Sequence, residues 1–173
     1  MFQKLEIRSL NEKDPEVIAQ AFQKIGFGKT VSQYERYLAE QAAGTRICYV
    51  AALGNQFAGY VTLNWKSAYS GFAEKNIPEI QDLNVLPEFC RRGIGTGLLD
   101  WAEEAASKRA AIVGIAVGLH PGYSSAQRLY IKKGYIPDGC GVWYRDRRVE
   151  EGMQAVFDDH LVLHLIKEVK TIA

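Results

Sequence analysis

The spacing of hydrophobic positions changes several times along the chain, and each change of period marks an element. Residues 5–10 alternate as a short strand. Asp14-Pro15 supplies an N-cap and a proline at the first helical position, which predicts a helix to about residue 25, broken by Gly26 and Gly28. Ser32-Gln33-Tyr34-Glu35 has the capping-box pattern and opens a second helix that ends near Gly44. Residues 47–53 and 57–65 flank Gly54-Asn55 as a hairpin. The stretch 65–76, rich in Ser, Gly and aromatics, reads as a loop, and 79–85 as the next strand. Residues 96–108 form a helix with Leu98, Leu99, Ala102, Ala105 and Ala106 on one broad apolar face. The nearly uninterrupted run AIVGIAVGL, 111–119, is the pattern of a strand covered on both faces. A helix over 124–133 stops at Gly134, where glycine suits a left-handed C-cap. Residues 135–136 and 142–144 read as short strands around Pro137-Asp138-Gly139, and 161–167 as the last strand. Helices alternate with strands in the first two thirds, and the hairpin and strand-rich last third predict an α+β fold with a mixed, partly antiparallel sheet.

Composition narrows the class. The chain has 173 residues, 47% hydrophobic and 24% charged, with a net charge of +1. That suits one globular domain over 1–173 and excludes a disordered chain. Basic and acidic residues nearly balance, which argues against a nucleic-acid binder. Cys48, Cys90 and Cys140 are odd in number and lack a CxxC pair, so reduced thiols in the cytoplasm are expected. No apolar run approaches the ~20 residues needed to cross a membrane, and the first residues do not read as a signal peptide. The charge is unevenly spread: residues 1–89 sum to −1, 90–148 to +5 and 149–173 to −3. A local excess of that kind marks a site for a compact polyanion or an ordinary scatter of surface charge.

The most informative stretch follows the 79–85 strand: Val85-Leu86-Pro87-Glu88-Phe89-Cys90-Arg91-Arg92-Gly93-Ile94-Gly95-Thr96-Gly97-Leu98-Leu99. Glycines just ahead of a helix let backbone N–H groups converge on an anion, and the helix dipole favours negative charge there. Arg91 and Arg92 add guanidinium donors. This loop holds no Gly-Lys-Ser/Thr, and the one Gly-Lys-Thr of the chain, Gly28 to Thr30, has Gln23 where a Walker A loop needs its first glycine; Leu98 stands where a dinucleotide fingerprint needs glycine.

This segment resembles the acetyl-CoA-binding motif of the GNAT superfamily of N-acetyltransferases, Gln/Arg-x-x-Gly-x-Gly/Ala, which falls on Cys90 to Gly95. A second block, SSAQRLYIKKGY, is similar to the family's Ala-x-x-x-Tyr-x-x-x-Gly-Phe/Tyr segment at Ala126, Tyr130, Gly134 and Tyr135. The resemblance covers roughly residues 3–167. It implies a central, mostly antiparallel sheet of six or seven strands flanked by about four helices, with acetyl-CoA as donor and a small-molecule primary amine as acceptor. It also implies acetyl-CoA contacts at Leu83, Val85, Cys90, Arg91, Arg92, Gly93, Ile94, Gly95, Thr96, Gly97, Ser125 and Tyr130. Two positions depart from the pattern: Cys90 replaces Gln or Arg, and Tyr123 stands where an Asn often contacts the pantetheine arm. Cys90 is a small loop side chain or a thiol activated by the neighbouring arginines. A homodimer is left open, and two rival functions stand beside the first: an acyl-CoA-binding sensor without chemistry, and acylation of a protein or peptide amine.

By the same resemblance Glu79 is the general base, Tyr130 the general acid that protonates the CoA sulfur, and a backbone N–H near Val85 polarises the thioester carbonyl. Alternation puts Glu79, Gln81 and Leu83 on one strand face and Ile80, Asp82 and Asn84 on the other, so Asp82 is a rival base only if a bulge reorients the strand. Ordered water is the third route. Trp65, Tyr69 and Phe72 fall where the family places acceptor contacts, or else pack in a core; Trp143 and the run Arg145–Arg148 close the pocket from the other side or form a solvated turn. His160 and His164 are four apart, but their segment alternates like a strand, and no metal site is expected.

Overall fold

The computed structural model describes residues 4–169. These fall into two compact units, each discontinuous in sequence: one holds residues up to Trp65 plus Gln81–Ala105, the other Lys66–Ile80 plus residues from Ala106 onward. Among the described residues there are eight strands and five α-helices. The sheet is mixed and mostly antiparallel, as expected, but exceeds the six or seven strands and four helices that the resemblance implied. The additions are short: a two-residue strand at Arg147–Arg148, and a four-residue helix at Ser70–Ala73 inside the expected loop. Neither is long enough to leave a periodic signal.

In the first unit β1 (Leu5–Ser9), β2 (Arg46–Leu53), β3 (Gln56–Asn64) and the later part of β4 (Glu79–Val85) lie side by side in that order. β1 and β2 pair antiparallel from Leu5 opposite Leu53, and β2 and β3 form the expected hairpin. Gly59 permits a close approach of backbones: a Cβ there would meet the Asn84 carbonyl oxygen at 2.4 Å, so only glycine lets β3 lie against β4. Helices α1 (Asp14–Gln23) and α2 (Val31–Ala42) cover this part of the sheet with aromatic rings. Tyr60 on β3 packs edge-on to Phe22 of α1 at 5.8 Å and to Tyr34 of α2 at 5.3 Å. The buried Leu98, Leu99 and Ala102 form the apolar face of α4 (Ile94–Ser107), as the sequence predicts.

Polar bonds fix α2. Its N-cap is Thr30 rather than Ser32: the Thr30 hydroxyl accepts from the Gln33 N–H at 3.3 Å. Tyr34 and Tyr37 face inward from this helix, and both are buried. Gln41 donates to the Leu10 carbonyl at 3.0 Å and accepts from the Cys48 N–H at 3.2 Å. Arg46, 9% exposed, donates to Thr62 at 2.8 Å, to Gln81 at 3.2 Å and to Glu40, and its guanidinium lies over the Tyr37 ring. A buried guanidinium is tolerable because these groups satisfy it.

In the second unit the start of β4 pairs in parallel with β5 (Ile112–Gly118) at Glu79 and Ile80. β5 is followed by β8 (Leu161–Glu168), β6 (Ile136–Tyr144) and β7 (Arg147–Arg148), all antiparallel. β6 runs unbroken where two short strands were expected, because a bulge with Gly139 and Gly141 at positive φ absorbs the irregular Pro137–Cys140 stretch. Helix α5 (Ser124–Lys132) ends as expected at Gly134, φ +87. The helix α3 (Ser70–Ala73) carries Phe72 into a cluster with Tyr69 and Ile77, and Trp143 packs against it.

His164 sits in that cluster, stacked on Tyr69 at 3.5 Å between ring centroids and edge-on to Phe72 at 5.4 Å. It is 5% exposed, and its Nδ1 has no hydrogen-bond partner among the described residues. His160 is exposed, and among the described residues no group of three His, Cys, Asp or Glu side chains could hold a metal ion. Burial pushes the His164 pKa from 6.5 down to about 4. Between those values the unfolded chain takes up a proton that the folded chain refuses, so folding stability is complete above pH 6.5 and lost progressively toward pH 4. The urea midpoint is therefore expected to drop between pH 7 and pH 4.5, and His164→Phe to lessen that drop. Equal drops in the two proteins would contradict a buried neutral imidazole.

Candidate active site

The glycine loop belongs to the first unit. Val85 leads through a 3₁₀ turn at Pro87–Phe89 to Cys90, and α4 begins at Ile94. Two successive reversals shape the connection, Arg91 at φ 61 and Gly93 at φ 79. A left-handed conformation costs a non-glycine residue about 1 kcal/mol, and strain of that kind gathers at binding sites. Gly97 donates to the Gly93 carbonyl at 2.9 Å, the first bond of the helix, so the N–H groups of Ile94, Gly95 and Thr96 have no acceptor within it. Gly93, Arg91, Arg92 and Cys90 are exposed, and a Cβ at Gly93 would meet no atom within 4 Å. The result is a row of backbone donors at a helix N-terminus preceded by two exposed arginines, an arrangement that can cradle an anion. The Cys90 thiol donates to the Leu86 carbonyl at 3.6 Å.

Upstream of the cradle, Leu83 and Val85 are part-buried on β4. Leu86 donates to Ala58 on β3 at 2.9 Å, and strand alternation therefore turns the Val85 N–H to the edge of β4 away from β3. Asp82 interrupts the strand with φ 51, the reorientation that would make it a rival to Glu79. The turn aims its carboxylate at α2. Oδ2 accepts from the Tyr37 hydroxyl and from Gln33 Nε2 at 3.4 Å, while Lys29 Nζ lies 4.0 Å from Oδ1. Burial first, and then the Asp82 charge, push the Tyr37 hydroxyl up to about 12, so it stays a donor at neutral pH. Trp65, part-buried, ends the first segment of this unit and donates from its backbone to Thr45 at 3.1 Å.

The second unit carries the two residues singled out for proton transfer. Glu79 is buried, 6% exposed. It accepts from the Ser67 hydroxyl at 2.6 Å, and Ser67 in turn accepts from the Tyr69 N–H at 3.0 Å. Tyr130, 5% exposed, lies on α5, and burial holds its hydroxyl well above the ordinary tyrosine range. It keeps its proton at neutral pH, as a general acid must. Ser125 is exposed in the first turn of α5. Tyr69, Phe72 and Trp143 lie together in the cluster around His164, and the Tyr69 hydroxyl donates to Asp138 at 2.7 Å. Arg147 and Arg148 pair as β7 with Trp143 and Tyr144.

Sequence reasoning missed Ser67, Tyr37, Gln33 and Lys29. The first stands in a stretch without periodicity. The others acquire their partner only through the backbone turn at Asp82, a residue type enriched in the left-handed region but with no pattern to announce it.

Residues 43–137 match the sequence profile described as "Acetyltransferase (GNAT) domain". No curated protein matches the chain in sequence. Solved structures share the fold at low identity. An N-acetyltransferase from Staphylococcus aureus Mu50 superimposes with a TM-score of 0.73 at 15% identity, over 96% of this chain and 99% of that one. The yncA protein of Salmonella typhimurium, solved with its cofactor acetyl-CoA, gives 0.70 at 15% identity over 98% and 96%. The ribosomal-protein-S18-alanine N-acetyltransferase of Escherichia coli gives 0.68 at 14% identity over 98% and 97%. With the profile match spanning more than half of its length, the chain belongs to the GNAT acetyltransferases, enzymes that draw their acetyl group from acetyl-CoA.

Proposed function

We propose that the protein transfers the acetyl group of acetyl-CoA to a primary amine of a small molecule, by direct attack of the amine on the thioester. The observation that carries this reading is the open cradle of backbone N–H groups at Gly93–Thr96, flanked by Arg91 and Arg92 and followed by a helix. These residues hold the pyrophosphate, with Leu83, Val85, Cys90, Gly97 and Ser125 completing the contacts. Acetyl-CoA supplies the acetyl group as a thioester, whose C–S bond breaks as the amine nitrogen joins the carbonyl carbon.

The chain's own groups manage charge and protons. The Val85 N–H polarises the carbonyl oxygen, worth a few kcal/mol in a sheltered site. Glu79 takes the proton that the amine gives up, directly or through water. Ser67, donating to Oε2, fixes the orientation of that carboxylate. Tyr130 passes its hydroxyl proton to the departing sulfur, and burial keeps that proton in place until a thiolate forms. Trp65 and Trp143 border the acceptor, and Tyr69 and Phe72 support it from the core. The enzyme acts in the cytoplasm, in keeping with three unpaired cysteines; no described helix is long and apolar enough to cross a membrane. A protein amine is the second reading, favoured by the fold shared with the Escherichia coli enzyme that acts on ribosomal protein S18.

Tyr130→Phe is expected to lower kcat about 100-fold while acetyl-CoA affinity stays within about twofold, since the hydroxyl acts only as sulfur leaves. An unchanged kcat removes Tyr130 from the mechanism. Gly95→Asp places a carboxylate among the cradle's donors. Titration with acetyl-CoA should detect no binding by a variant whose circular dichroism is unaltered, and retained affinity would sink the cradle assignment.

A further inference from the structure

The connection between α1 and α2 carries a sheltered lysine. The Lys29 side chain is 20% exposed, low for a residue that usually keeps its head in water. Its ammonium is 4.0 Å from Asp82 Oδ1, 5.7 Å from the Tyr60 ring centroid and 6.0 Å from that of Phe22. Both rings are within reach for a cation–π attraction. The two carboxylate oxygens of Asp82 divide the work. Oδ2 takes the Tyr37 hydroxyl and the Gln33 amide, which anchor it to α2, and Oδ1 is left to face the cation.

Two features distinguish this arrangement from a structural ion pair. At 4.0 Å the ammonium is too far for a direct hydrogen bond, so it is sheltered without being locked. Lys29 also rides on an irregular turn: Gly26 has φ 79, Gly28 precedes it, and its N–H donates to the Phe27 carbonyl at 2.9 Å. Gly26 and Gly28 leave that segment more backbone freedom than Asp82, Tyr37 and Tyr60, which are set in the sheet and helix.

We propose that Asp82 Oδ1 and the Tyr60 and Phe22 faces form a subsite for a primary ammonium group, with Lys29 as its built-in occupant, which the acceptor's ammonium displaces. An ammonium held between a carboxylate and two aromatic faces keeps its proton and is no nucleophile. The subsite therefore anchors an amino group other than the one acetylated, and the acceptor class is a cationic amine with at least two amino groups. Naming the occupant as the acceptor rests on the acyl-transfer reading; binding of an ammonium ion there does not.

The test uses n-butylammonium chloride as the probe, with n-butanol and sodium chloride as controls, and the full chain. Lys29→Ala vacates the subsite, and Lys29→Met vacates it while retaining the apolar stem. At ten times its dissociation constant the probe should raise the melting temperature of either variant by about 3 °C, and that of the wild-type chain by far less. Neither control should do so, and Lys29→Met combined with Asp82→Asn should lose the response. Equal responses in wild type and both single variants, or a response that survives Asp82→Asn, would overturn the subsite. Thermal responses as expected, but no thiol release from acetyl-CoA with 1,4-diaminobutane or any other amine, would sink the acyl-transfer reading and leave the ammonium subsite standing. Turnover without the thermal response would do the reverse.

Discussion

The bond between the Asp82 carboxylate and the Tyr37 hydroxyl holds a left-handed residue in the middle of a strand, and the first unit is organised around it. The conformation costs about 1 kcal/mol. A hydrogen bond to a charged group contributes about 1.5–3 kcal/mol, more than enough to hold the turn in place. Tyr37 can serve only because α2 is itself fixed, by Gln41 to Leu10 and Cys48 and by Glu40 to Arg46. The aromatic cluster centred on Tyr60 supplies the apolar half of the same attachment. A polar network and a packed core thus secure one backbone reversal, and beyond that reversal β4 leads directly into the glycine loop.

In the second unit a different arrangement serves the same strand. Ser67 joins the Glu79 carboxylate to the backbone of Tyr69, whose ring stacks on the buried His164. The orientation of Glu79 is therefore tied to an aromatic core. Acid that charges His164 would loosen that core, so the pH stability of the fold and the posture of the proposed base are physically linked.

The elements legible from sequence were those whose signal is local. The alternation of β2 and β3, the apolar run of β5 and the glycines before α4 each specify an element from neighbouring residues. Elements decided by distant contacts were less so. Ser32…Glu35 reads as the capping pair, but the Thr30 hydroxyl takes the Gln33 N–H and the helix starts two residues earlier. Strict alternation placed Asp82 opposite Glu79, and a single φ of 51 undid it. The candidate site divides in the same way. Cys90 to Gly97, Glu79 and Tyr130 could be named from motif resemblance, whereas Ser67, Tyr37 and Lys29 gain their meaning only from groups far away in sequence. The +5 charge of residues 90–148 changes in meaning as well, since Arg91 and Arg92 precede the proposed cradle while Arg147 and Arg148 form a short strand paired with Trp143 and Tyr144.

The central claim is that this chain catalyses acetyl transfer rather than merely binding the donor. It is tested most directly by thiol release from acetyl-CoA over a panel of polyamines, amino acids and peptides, with the acetylated product identified by mass spectrometry. Release that depends on a small cationic amine, with stoichiometric amide product, is the predicted result. A melting temperature raised by acetyl-CoA with no release for any amine would contradict it and leave a sensor of the donor.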